Sequence, residues 1–311
     1  MVPPLPKSQS IAASITKAAS KQTYYTIRIF ADRERVEQAY QAYGYFRWVD
    51  DILDEKQADK PGKIAFIQRQ KSLLQACYRG VTPERICPEE QMLLDLVHHD
   101  DGSNPGLRSY LDNMMAVLEF DATRRGELIS QAELDQYSQS LAVAVSNALF
   151  YFIGHDDPPP GNKSIYRAVN AAHIVHMLRD TLDDNQLGYF NIPREYLQDH
   201  KLSPSDLNNQ AYQAWVCSRV KLARKFFEQG CESLAEIKNV RCKMVGYAYT
   251  ARFEWMLRAI ERDNFCLRSE YNERRGLPAS LWIIWKTLSA AFSSSWVKGR
   301  FAAHSSNPVN Q

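Results

Sequence analysis

The stretch from Tyr24 to Glu55 reads YYTIRIFADRERVEQAYQAYGYFRWVDDILDE. From about residue 33 its apolar and aromatic side chains recur at helical spacing, and Asp32 is placed to cap the helix they predict over about 33–54. The same spacing predicts helices over about 62–79, 107–121, 131–153, 163–184, 204–236 and 239–264, and one more ending at the loop from His99 to Gly106. Period-two alternation is nearly absent, so strands are not expected. Glycine and proline are scarce, 13 and 14, and 10 of them fall in His99–Gly106, Gly154–Gly161 and Gly188–Pro193, which marks those places as segment boundaries. The class is all-α. The length of the helices predicts a single large helical bundle around a central cavity. Residues 1–14 are expected to be a disordered tail, 15–290 the helical domain, and 291–311 a C-terminal, membrane-proximal tail.

Composition narrows the function. A net charge of +2, from 38 basic and 36 acidic side chains, does not point to nucleic acid. None of the six cysteines, Cys77, Cys87, Cys217, Cys231, Cys242 and Cys266, forms a CxxC pair, and free thiols in a reducing cytosol are expected. The start, MVPPLPKSQS, has no apolar secretory core, and no stretch reaches the ~20 apolar residues of a spanning helix. The expected location is cytoplasmic, with membrane association at most peripheral.

The chemistry concentrates in two acidic segments, Asp50-Asp51-Ile52-Leu53-Asp54 and Asp180-Thr181-Leu182-Asp183-Asp184, each near the end of a predicted helix. Residues four apart differ by only about 40° around a helix, so Asp50 and Asp54 share a face, as do Asp180 and Asp184. Like charges at that spacing repel, and acids near a helix C-terminus oppose its dipole. A hard divalent cation would remove both costs, and two facing acidic helices would form such a site. A solvated acidic patch is the alternative for either segment alone. Both stripes extend. Tyr43, Arg47, Asp50 and Asp54 follow one face, and an arginine there suits diphosphate, a plain salt bridge to Asp50 or Asp51 being the alternative. His173, His176, Asp180 and Asp184 follow another, which also suits a transition metal. The clusters His98–Asp101 and His155–Asp157 read as loop and cap chemistry. Dinucleotide, P-loop and nucleophile-elbow glycine motifs are absent.

At these residues the chain resembles the squalene/phytoene synthase family. The segment from Tyr24 to Glu55 resembles its first signature, and Met177 to Asp184, MLRDTLDD, its second, about 130 residues on. Leu134–Gly154, Gly188 with Ile192-Pro193-Arg194-Glu195, and Leu257–Phe265 also resemble family segments, over roughly residues 15–290. The resemblance implies an isoprenoid-synthase-type helical fold. It implies that Asp50, Asp54, Asp180 and Asp184 are catalytic and, with His176, bind the metal. Asp51 and Asp183 would support them. Arg47, Arg179, Tyr43 and Thr23 would hold diphosphate, with His173 and Phe253 also at the substrate. Asp121 is similar to a family aspartate on the central cavity.

The implied reaction joins two prenyl diphosphates, farnesyl or geranylgeranyl, head to head. It would release diphosphate and give a squalene-, dehydrosqualene- or phytoene-like product. Mg²⁺ is the implied cofactor, with Mn²⁺ the alternative because His176 stands where the family has an amide ligand. NADPH use stays open. Departures include His173 and His176 for Gln and Asn, Asn191 for a tyrosine after the second signature with its flanking arginines lost, Phe253 for another tyrosine, and Val143-Ala144-Val145-Ser146 for Gly-x-Val-Gly. They keep cyclisation, prenyl transfer to another acceptor and a non-catalytic assembly role as alternatives. Phe46, Leu141, Val145, Leu149 and Phe253 are candidate cavity linings or ordinary core. Residues 277–301, with Trp282, Trp285 and Trp296 flanked by Lys286, Lys298 and Arg300, are expected either to pack as a final helix or to touch a membrane surface.

Overall fold

The computed structural model describes residues 8–55, 59–81, 84–100, 102–155 and 163–292. They form α-helices and short 3₁₀ turns, with no strand among the described residues. The helices are α1 (Ser8–Ala19), α2 (Lys21–Phe30), α3 (Val36–Asp54), α4 (Lys60–Tyr78), α5 (Pro88–His98), α6 (Gly106–Arg124), α7 (Gln131–Phe152), α8 (Arg167–Leu187), α9 (Arg194–His200), α10 (Gln210–Glu236), α11 (Val240–Arg262) and α12 (Leu277–Phe292). The all-α class follows as the periodicity predicts. Two compact units make up the chain, Met1–Arg125 with Val143–Pro158, and Gly126–Ala142 with Pro159–Gln311.

In the first unit α3 is the central helix, contacted by α1, α2, α4, α5 and α6. Residues 8–14, expected as tail, are helical instead. Ala12 and Thr16 of α1 are fully buried, and a Cβ at Gly44 of α3 would lie 3.2 Å from the Ala12 backbone. A side chain there would push the two helices apart by a few tenths of an ångström, so glycine suits the position. Asp32 does not cap α3. Its carboxylate accepts from the backbone N–H groups of Gly154 and His155, both at 2.9 Å, so it ties α3's lead-in to the end of α7. A buried polar chain cross-links three helices. The Tyr45 hydroxyl donates to Gln70 Oε1 at 3.0 Å, Gln70 Nε2 donates to Glu90 at 3.0 Å, and Arg69 grips Glu90 with two bonds of 2.9 Å. Every buried polar atom in that chain has a partner, which is what makes it a tie and not a penalty.

In the second unit α8 is packed by α10 and α11, and α11 carries α12. Gly230 of α10 meets Ala168 of α8, where a Cβ would sit 2.4 Å from the Ala168 nitrogen. Local signals set the ends. Ser130 and Glu133 cap the start of α7 reciprocally (Ser130 N–H to Glu133 at 2.7 Å, Glu133 N–H to Ser130 at 3.2 Å), Asn209 caps α10, and Gly188 closes α8 at φ +84°. The helix expected over 204–236 therefore begins at Gln210, because Asn209 takes the cap. The short α9 has too few turns to show a period in the sequence. Helix α12 runs past residue 290, where the expected domain ended. All six cysteines are free, as their spacing predicts. Asp101, Asp156, Asp157 and residues 293–311, including Trp296, Lys298 and Arg300, lie outside the described residues.

Candidate active site

The last turns of α3 carry the first acidic stripe, and the fold surrounds it with charge. Arg47 Nη1 lies 3.4 Å from Asp50 Oδ2, while Nη2 donates to Asp51 at short range. Asp51 is thus largely neutralised, and Asp50 is not. Burial pushes the Asp50 carboxyl up to about 6, and the charges of Asp54, Asp121 and Asp51 add to it against Arg47. Asp54 is raised too, first by burial and then by Asp51, opposed by Arg47, Lys63 and Arg125. Two neighbours arrive from other helices. Lys63 of α4 is buried and donates through Nζ to the Leu53 carbonyl, satisfying the C-terminal end of α3. Asp121 of α6 is held by Arg124 Nε at 2.7 Å.

This donor set fits a hard divalent cation. Its ligands are all carboxylate oxygens, and their mutual repulsion is what a cation relieves. No three histidine, cysteine or acidic ligands among the described residues converge to hold an ion by themselves. Mg²⁺ ordinarily completes its shell with water and phosphate oxygens, so the set suits an ion that arrives with a phosphorylated ligand.

The second stripe, on α8, is arranged differently. Arg179 grips Asp180 with Nε at 2.6 Å and with Nη2 at shorter range, and His176 Nε2 lies 2.8 Å from the same carboxylate. Burial alone would push Asp180 up, but Arg179 and His176 hold it well below the usual carboxylate range. Asp184 accepts from Asn191 Nδ2 at 2.8 Å. Asp183 is exposed. His173 is buried with its ring 5.1 Å from that of Tyr137. Phe253 of α11 is buried 6.3 Å from the His176 ring, next to Tyr249 at 5.1 Å.

Most of the sequence-derived residues therefore fall into two constellations. Tyr43, Arg47, Asp50, Asp51 and Asp54 form one. His173, His176, Arg179, Asp180, Asp183, Asp184 and Phe253 lie together along α8 and its α11 neighbour. Thr23 stands apart. It lies in the first turn of α2, and its hydroxyl donates to Ser20 at 2.9 Å; no hydrogen bond or ion pair among the described residues joins it to the stripe. Phe46 is buried edge-on to Tyr110 at 5.3 Å, and Leu141, Val145 and Leu149 are half-buried on α7. Sequence reasoning missed Lys63, which sits in no motif, and the bond from Asn191 to Asp184. Asn191 stands out in the sequence only as a departure, and its place three residues past Gly188 is the one signal available there.

The helical architecture has solved counterparts. The chain is similar to a dehydrosqualene synthase crystallised in complex with a ligand, at a TM-score of 0.69 and 17% identity over 91% of this chain and 96% of that one. It is similar also to squalene synthase HpnC from Alicyclobacillus acidocaldarius, at a TM-score of 0.65 and 16% identity over 84% of this chain and 95% of that one. These likenesses show the fold. A model of the squalene/phytoene synthase family matches residues 16–281, and the chain belongs to that family. Among curated relatives are the presqualene diphosphate synthases of Zymomonas mobilis, 27% identical over 62% of this chain and 62% of the relative, and of Rhodopseudomonas palustris, 26% identical over 61% and 64%. The match thus spans a little under two thirds of each relative's length.

Proposed function

We propose that this chain is a divalent-cation-dependent prenyltransferase that couples two prenyl diphosphates head to head. The observation that carries the reading is the crowding at Asp50, a partly buried carboxylate beside Asp54 and Asp121 with too little positive charge to balance it. Such a site is stabilised by a cation. Asp50 and Asp54 are the proposed ligands on α3, and Asp180, Asp184 and His176 on α8. A cation bound at either stripe would neutralise the charge that develops on the departing diphosphate. Arg47 and Arg179 would bind diphosphate oxygens through their forked N–H groups, releasing Asp51 and Asp180 from their present pairs. Asn191 would orient Asp184. Apolar side chains, Phe253 among them, would exclude water from the allylic cation.

In the proposed first half-reaction the C1–O bond of one substrate breaks. The double bond of the second substrate attacks C1, and loss of a proton closes a cyclopropane, which still carries one diphosphate. The names of the curated relatives favour this product. Rearrangement to a hydrocarbon, with or without hydride from NADPH, is the further outcome. The test is incubation with farnesyl or geranylgeranyl diphosphate and Mg²⁺ or Mn²⁺, with and without NADPH. Released diphosphate is assayed and the organic extract is mass-analysed. Asp50→Ala and Asp180→Ala should each abolish turnover with helical content unchanged. Absence of diphosphate release from the wild-type chain with either substrate rejects the reading.

A further inference from the structure

A cavity of about 340 Å³ opens in the first unit, where α3 and α4 meet the chain that leads into α5. Its size is at the small end of the range for small-molecule sites. It lies behind the first acidic stripe, because Trp48, which forms one wall, is about 160° around α3 from Asp50. The walls are apolar. The rings of Trp48 and Phe66 stand edge to face with centroids 5.6 Å apart, and Ile86 adds an aliphatic side. The polar groups are donors once internal bonds are counted. Glu90 supplies the one carboxylate of the lining, and it is saturated. Its Oε1 accepts from Arg69 Nε and Gln70 Nε2, and its Oε2 from Arg69 Nη2 and the Cys87 N–H. Arg69 Nη2 also donates to the Arg85 carbonyl at 3.0 Å. The Arg85 guanidinium has no hydrogen bond or ion pair among the described residues, and neither has the indole N–H of Trp48. Arg69 cancels the charge of Glu90, so Arg85 leaves the lining with a net positive charge.

We propose that this cavity binds a small organic anion, its apolar body against Trp48, Phe66 and Ile86 and its carboxylate or phosphate head on Arg85. The donor set chooses the head. No side chain of the lining has a strong acceptor to spare, so an ammonium or hydroxyl donor brought there would lose its water and gain no partner. An anionic head gains a guanidinium that no residue of the chain has claimed. The aromatic corner chooses the body, because a bare inorganic ion would leave those walls wet, whereas an apolar group covers them. The site uses none of the residues proposed for coupling. Its occupancy requires neither a metal ion nor a prenyl substrate.

The test is calorimetric titration of the full chain, in chelator and without prenyl substrate, with 2-naphthoate and with octanoate. At least one should bind with a Kd on the order of 0.1–1 mM, and the tighter of the two identifies the body as aromatic or alkyl. The uncharged 2-naphthamide and inorganic phosphate should each bind about tenfold more weakly or not at all. Arg85→Ser removes the free guanidinium from an exposed position and should weaken binding about tenfold, with the thermal midpoint unchanged. Ile86→Trp fills the cavity and should abolish binding. A readout on the unaltered chain locates the ligand. Cys87 lines the cavity, so its alkylation by iodoacetamide, followed by peptide mass spectrometry, should slow when the bound anion is saturating, while that of Cys266 should not. The proposal is overturned if neither anion binds, or if the amide or phosphate alone binds as tightly as the anions. Binding that both variants retain overturns it too, as does alkylation of Cys87 at the same rate with and without the anion.

Discussion

Replacing Asp50 by Asn should make the metal-free protein more stable while removing its activity. Burial and three neighbouring carboxylates raise this carboxyl from 3.8 to about 6. At ~1.4 kcal/mol for each pH unit, that is up to about 3 kcal/mol of cost to the charged form in the folded state. The Asp50 side chain is 42% exposed, so solvent screens much of this and about 1 kcal/mol is the realistic gain. For a chain of this size that corresponds to a midpoint about 2 °C higher at pH 7. The sign with pH follows. A carboxyl whose folded pKa is raised destabilises the protein above that pKa, and the cost fades as pH falls from about 6 toward 3.8. The advantage of the Asn variant should therefore shrink on acidification and vanish near pH 4. The assay is thermal unfolding in chelator between pH 4 and 7.5, repeated with Mg²⁺ and inorganic diphosphate, which should stabilise the wild-type chain more than the variant. If Asp50→Asn melts below wild type at pH 7 in chelator, the carboxylate is a structural partner of Arg47 and the crowding argument fails.

Other outcomes follow from neighbouring contacts. Glu90 is pushed up by burial but held below its usual value by Arg69, Gln70 and the Cys87 N–H, so its stabilisation is present above about pH 4.5 and lost as pH falls through the folded pKa. Glu90→Gln should cost about 2–4 kcal/mol at pH 7 and flatten the acid limb of the stability curve, read by denaturant titration at several pH values. Lys286→Met strands the buried Glu254 carboxylate and should cost about 3 kcal/mol or more, whereas Lys286→Met combined with Glu254→Gln should recover most of it; equal losses would show that the pair does not fix α12. Asn191→Leu removes the hydrogen bond to Asp184 and should raise the Mg²⁺ concentration giving half-maximal turnover about tenfold, with the circular dichroism spectrum unchanged.

Helix periodicity and the i,i+4 rule are local, and what depends on them was legible. The helices carrying both signatures, α3 and α8, fall where the apolar spacing puts them, and each aspartate pair shares a face because about 100° per residue leaves no alternative. Short or tail-like elements were less visible. Helix α1 shows too little pattern around its one buried seam at Ala12 and Thr16, and α9 is too short for a period. Asp32 illustrates another kind of miss. A residue with good capping chemistry found better partners in the N–H groups of Gly154 and His155, more than 120 positions away.

By itself the sequence determined the all-helical class, the two acidic stripes and, through the spacing of its signatures, the family. Tertiary structure decided the burial of those stripes and their distant neighbours. It raises Asp50 first by desolvation, with Asp54 and then Asp121 of α6 adding to it, whereas Asp180 is held low against its own burial by Arg179 and His176 of the same helix. It also decided that Asn191 meets Asp184 and that Lys286 faces inward, which leaves the leucines of α12 outside. The reason is physical. A helix's own sequence fixes which residues share a face, but desolvation and charge–charge energies depend on distances set by segments far away in the chain, and only folding brings those segments together.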